Sequence, residues 1–211
     1  MKPLQAIKGT AEKIAPGRAP QFIEAHVIKA LMTLSQESPI GRIKLAKTLG
    51  LSEGSIRTLI KHIEKEGLIR TSREGIALTT SGHRLMSSLK SRIGPVTEIP
   101  RSPLTVGAYN TAILIKAAAD AVKTGVEQRD AAIKIGAKGA TTLVFSQGRL
   151  IMPLVEEDVL KEGPKIREKM LSELKPEEND VIVIGSADTK LTAEYGAITA
   201  ALETLKNRGG K

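Results

Sequence analysis

The stretch KLAKTLGLSEGSIRTLIKHIEKEGLI, Lys44 to Ile69, decides how the first half of the chain is read. Ser52 is a residue type that caps helix N-termini, and Ile56, Leu59, Ile60 and Ile63 recur at i, i+3, i+4 and i+7. Gly67 is the type that closes a helix in the left-handed region. This spacing predicts a helix with one apolar face, which turns Ser52, Glu53, Ser55, Arg57, Thr58, Lys61, His62 and Lys65 outward. Upstream, Ile43, Leu45, Ala46 and Leu49 predict a short helix over 40–49 with those four residues inward and a stop at Gly50. Before it, Phe22, Ile23, Val27, Ile28, Leu31 and Leu34 predict a helix that begins at Pro20 and ends between Ser35 and Pro39. Downstream, LIRTS and IALTT flank REG as two short strands around a turn, and SGHRLMSSLKSRI is helical with Leu85, Met86, Leu89 and Ile93 on one side.

The charge is divided as sharply as the pattern. The 211-residue chain has a net charge of +9; residues 1–92 hold 16 Lys and Arg against 7 Asp and Glu, whereas residues 93–211 hold 16 of each. One half therefore suits a polyanion and the other does not. No cysteine is present, which excludes disulfides, thiolate metal sites and cysteine nucleophiles and fits a reducing compartment. The start lacks an apolar leader, and the greasiest later run, TAILIKAAADAV, is cut by Lys116 and Asp120. The expectation is a cytoplasmic protein with no membrane partner. Residues 1–19, with Gly9, Pro16, Gly17 and four basic residues, are expected as a flexible basic arm.

SRIGPVTEIPRSPLTVG, rich in proline and glycine, separates the two halves, and a linker is expected over 93–103. Beyond it, residues 104–211 read as strand NTAILIKAA, helix GVEQRDAAIKIGA, a TTLVFS/LIMPLV hairpin across QGR, helix VLKEGPKIREKMLSEL broken near Gly163 and Pro164, strand DVIVIG and helix TAEYGAITAALETLK. The order β-α-β-β-α-β-α predicts an α/β sandwich, with Pro153 demoting its strand toward an edge.

Three helices, a hairpin and a further helix, with a tight LGLS turn between the second and third, is the winged helix-turn-helix order. KLAKTLGLSEGSIRTLIKHIEKEGLI followed by LTTSGHRL resembles the winged-helix transcriptional regulators of bacteria and archaea over residues 20–92. The carrying residues are Leu45, Ala46, Leu49, Gly50, Leu51, Ser52, Gly67, Leu68, Ile69, Leu78, Thr79, Gly82 and Leu85. The whole chain further resembles archaeal winged-helix proteins with an uncharacterised C-terminal domain. The resemblance implies an α+β chain, a winged helix plus an α/β sandwich, that binds double-stranded DNA through its third helix.

Residue chemistry fills in that expectation. Ser55 and Arg57 are the candidates for base edges, since a guanidinium matches the two acceptors of guanine, and Thr58 offers a methyl. Ser52 lies at the helix start, Lys61 and His62 a turn or more later face phosphate, as do Arg42 and Lys44, and Arg73 tips the wing toward a minor groove. Glu53 is repelled by phosphate unless it accepts from cytosine or packs back on its own helix. For residues 104–211, Lys123, Arg129, Gly185, Ser186, Thr189, Lys190 and Thr192 are the candidates for an anionic effector, provided the first and last strands are parallel neighbours. Dimerisation is the equally natural alternative for this half. All three histidines lie in the basic half and no Walker-type lysine occurs, so no enzyme, cofactor or metal is expected, although Asp130, Asp188, Lys190 and Tyr195 leave Asp/Lys/Tyr chemistry open. The reading is a homodimeric transcriptional regulator; a metabolic enzyme with an appended winged helix and a winged-helix docking adaptor are its alternatives.

Overall fold

The computed structural model describes residues 3–11, 22–155 and 164–208, which divide into two compact units, 1–90 and 91–211. In the first unit α1 (Pro3–Ala11) precedes α2 (Glu24–Gln36), α3 (Arg42–Leu49) and α4 (Glu53–Lys65), then β1 (Ile69–Ser72), β2 (Gly75–Leu78) and α5 (Thr80–Lys90). α1 corrects the expected arm over part of its length: Ala6, Ile7 and Thr10 are buried, and the helix packs on α2 and α4. Residues 12–19 of that arm, and Pro20, lie outside the described residues.

Local chemistry sets the helix ends. The Ser52 Oγ accepts the Ser55 N–H at 3.2 Å, capping α4. At its other end Gly67 has φ +68°, its N–H reaches the Glu64 carbonyl at 2.8 Å and the Leu68 N–H reaches Ile63 at 3.2 Å. α3 closes the same way through Gly50, φ 62°. Both turns need a backbone that L side chains adopt at a cost, which is why each "GL" step carries glycine. Val27, Ile28, Leu31, Leu45, Leu49, Ile56, Leu59 and Ile63 fill the space between α2, α3 and α4. Ile43, expected inward, is 83% exposed, because an eight-residue helix buries only its Leu45 and Leu49 side.

β1 and β2 pair antiparallel from Ile69↔Leu78 to Ser72↔Gly75, and an isolated bridge Ile40↔Ile76 ties the hairpin to the segment before α3. Thr79 Oγ1 accepts the Gly82 N–H at 3.1 Å and donates to the Gly67 carbonyl at 2.6 Å, so the LTTSG run fastens α5 to the end of α4.

The second unit is a three-layer α/β sandwich. β3 (Ile93–Glu98), β4 (Tyr109–Ile115), β5 (Gly139–Ser146), β6 (Arg149–Ile151) and β7 (Val181–Ala187) form one sheet in the order β3-β4-β7-β5-β6, antiparallel throughout. α6 (Val126–Lys134) and α8 (Lys190–Arg208) cover one face. α7 (Pro164–Leu174) covers the other, where Met170 and Leu174 meet Ala112, Leu114, Ile182 and Ile184. Residues 93–98, expected in a linker, are thus an edge strand of the sheet. Ile93 is buried there rather than on α5, and the register shift between Ile93 and Val96 accommodates Pro95, as an edge strand permits. The expected break near Gly163 falls among residues outside the described ones.

Candidate nucleic-acid interface

α4 presents its polar side to solvent, and a carboxylate organises it. Glu53 Oε1 accepts from Arg57 Nη2 at 3.0 Å, one turn along the helix, and from Arg42 Nη2 at 3.3 Å, at the start of α3. Glu53 therefore packs back on its own helix and holds two candidate arginines beside each other. All three side chains remain more than 45% exposed, so the pairs are weak and the guanidiniums can exchange partners. Lys44 pairs with Glu37. Ser52 and Ser55 bond each other at 2.9 Å, and Thr58 donates back to the Gly54 carbonyl at 3.0 Å. Lys61 is exposed two turns beyond Gly54, and Arg73 occupies the exposed hairpin turn. Arg70 on β1 is exposed as well, in a strand that buries only Ile69, and it is a cation that the sequence pattern does not single out.

His62 is the correction on this helix. It is buried, its Nδ1 lies 2.9 Å from the Thr10 carbonyl, and the Phe22 ring meets it edge-on at 5.4 Å. The residue is solvent-facing only by the periodicity of α4; α1 docks on that side and covers it. A second histidine is also interior in role: burial, with help from nearby Lys29, pushes His26 down to about 4, and its Nδ1 accepts the Ile23 N–H at 3.2 Å at the start of α2.

The expected ligand site does not assemble. β4 and β7 are antiparallel, with Ile115 opposite Val181 and Tyr109 opposite Ala187. The turn after β4, which carries exposed Lys123, therefore lies at the opposite end of the sheet from the loop after β7. Gly185 faces α8: a Cβ there would sit 2.4 Å from the Ala193 carbonyl oxygen and 2.4 Å from the Ala197 nitrogen. Ser186 is buried and donates to Asn110 Oδ1 at 2.7 Å. Thr189 caps α8 by accepting the Thr192 N–H at 3.1 Å and shares a 2.8 Å contact with the Thr192 hydroxyl; Lys190 pairs with Glu98 at 3.0 Å. Arg129 pairs with Asp130 on α6 at 3.0 Å. Asp188 is held by Lys138 at 2.6 Å, while burial raises the Tyr195 hydroxyl far above its ordinary range. Among the described residues no group of three or more His, Asp or Glu is placed to hold a metal ion, and no described helix is long and apolar enough to cross a membrane.

Residues 26–93 match the family model described as the CggR N-terminal DNA binding domain, and residues 106–205 match a domain of unknown function, DUF4443. The chain thus joins a segment similar to a DNA-binding domain of winged-helix type to one similar to a domain without assigned function. Among solved structures, a hypothetical protein from Pyrococcus horikoshii OT3 is similar, with 25% identity, a TM-score of 0.70, and coverage of 89% of this chain and 100% of that one. No curated protein matches the chain.

Proposed function

We propose that the protein is a cytoplasmic, sequence-specific DNA-binding regulator of transcription. The observation that supports this is the exposed polar face of α4, where Arg57, Glu53 and Arg42 lie together in the half of the chain that holds the whole +9 charge and resembles a DNA-binding domain. α4 enters the major groove; Ser55 and Arg57 meet base edges, while Arg42, Lys44 and Lys61 meet phosphate and Arg73 approaches a minor groove. The second unit dimerises the protein, senses an effector, or both. An effector that binds one dimer geometry more tightly changes the spacing of the two α4 helices and hence operator affinity. No catalytic step is assigned to it.

The test is selection of bound fragments from genomic DNA with the purified full chain. Enrichment of a two-fold related sequence supports the reading, and an absence of enrichment even at low salt overturns it in favour of a protein-docking adaptor.

A further inference from the structure

Of the exposed large apolar side chains described in the second unit, Leu154 and Val155 follow β6 and Tyr109 opens β4, while Val106, Val126 and Ile133 form a separate group at α6. Val126 (42% exposed) and Ile133 (47%) stand seven residues apart on α6, so they share one strip of the helix with Arg129 and Asp130 between them. The other side of α6, Gln128 and Ala132, is fully buried against the rest of the unit. Val106, 62% exposed, continues the patch: a side chain at Gly139 would lie 3.3 Å from Val106 Cγ2 and 3.8 Å from Arg129 Cγ, which puts those two residues side by side.

The strip is self-complementary. Its midpoint falls between Arg129 and Asp130, so an antiparallel copy of α6 related by a two-fold axis there sets Val126 against the second copy's Ile133 and Arg129 against the second copy's Asp130. Both contacts then occur twice, apolar with apolar and cation with anion, as an isologous interface requires. A parallel copy would instead oppose like charges. The residues beyond the linker region carry equal numbers of acidic and basic groups, so no net repulsion opposes association of this half.

We infer that α6 and Val106 form a two-fold dimer surface whose occupant is a second copy of this chain. This deepens the regulator reading, because a two-fold pair of winged helices addresses two half-sites. The inference is nevertheless tested without DNA, so its failure leaves DNA binding untouched, and a failure of DNA binding leaves it standing.

The experiment is sedimentation equilibrium on the full chain over about 1 to 100 µM, the range in which modest interfaces are populated. Arg129→Glu alone and Asp130→Arg alone each place like charges across the axis, whereas Arg129→Glu with Asp130→Arg restores both the internal pair and the pair across it. Each single reversal is expected to weaken the dimer about tenfold or more, with the double variant returning to within about threefold of the unaltered chain. Ile133→Glu is expected to be monomeric over the same range. The side chains at all three substituted positions are about half exposed, and unchanged circular dichroism checks that each variant folds. A chain that is monomeric throughout, or a dimer that none of these variants weakens, overturns the inference.

Discussion

The salt dependence of DNA binding is where the charge of the first unit becomes a number. The cations proposed to meet phosphate are Arg42, Lys44, Lys61 and Arg73, with Arg57 proposed for a base edge; all five are exposed. Arg42 and Lys44 give up exposed ion pairs to Glu53 and Glu37, each worth at most about 1 kcal/mol, so phosphate can displace them. With about four phosphates neutralised, the slope of log K against log salt is about −3.6, which is a loss of about 150-fold between about 50 and about 200 mM. Lys61→Ala removes one such contact and is expected to bring the slope to about −2.7, weakening binding to all sequences alike. Arg57→Ala is expected to leave most of the slope in place and to cost about 1 to 3 kcal/mol of discrimination between the selected site and a single mismatch. Fluorescence anisotropy with labelled duplexes across a salt series measures both quantities. Affinity that is flat over this range, or a Lys61→Ala variant with unchanged slope and affinity, refutes the assignment of α4 to the groove.

Two further outcomes follow from the packing. Gly185→Ala would bring a methyl to 2.4 Å of α8 backbone, so the helix must move by about 1 Å and the second unit is expected to lose about 2 to 3 kcal/mol. Thermal unfolding followed by circular dichroism checks this, and an unchanged midpoint would show that the glycine is not a packing residue. His26 titrates near 4 in the folded protein against about 6.5 unfolded. The unfolded chain therefore takes up the proton first as pH falls below about 6.5, and the stability of the first unit declines until the folded ring also protonates. Between about pH 6.5 and 5 the loss is about 1 to 2 kcal/mol once solvent screening of the partly exposed ring is allowed for. Hydrogen exchange of α2 and α4 amides reads it, and a His26→Gln variant with the same decline would place the effect elsewhere.

What was legible in the sequence was what is local. The stripe Ile56, Leu59, Ile60 and Ile63, the Ser52 cap and the Gly50 and Gly67 stops each report on a few neighbouring residues, and all take the expected form. His62 failed for the converse reason: periodicity places it on the polar side of α4, and only α1, too short at nine residues to announce itself by period, covers that side. Pro95, Pro100 and Pro103 suggested a linker because proline weakens a strand in general, but β3 lies at the sheet edge, where a missing N–H costs least.

Strand direction was the larger gap, and it misdirected the ligand site. DVIVIGSADT has the composition of a strand feeding a phosphate-binding turn, with glycine and hydroxyls after a greasy run. Glycine serves that purpose because the backbone can approach a ligand closely, and it serves equally where a helix backbone must approach the strand. The two uses demand the same absent Cβ. Only the antiparallel pairing of β4 with β7, and α8 at 2.4 Å from the place where a Cβ would stand, assign Gly185 to the second. By the same logic the outer strip of α6 keeps apolar side chains exposed to solvent, whereas the loop after β7 commits its hydroxyls and its lysine to partners within the unit.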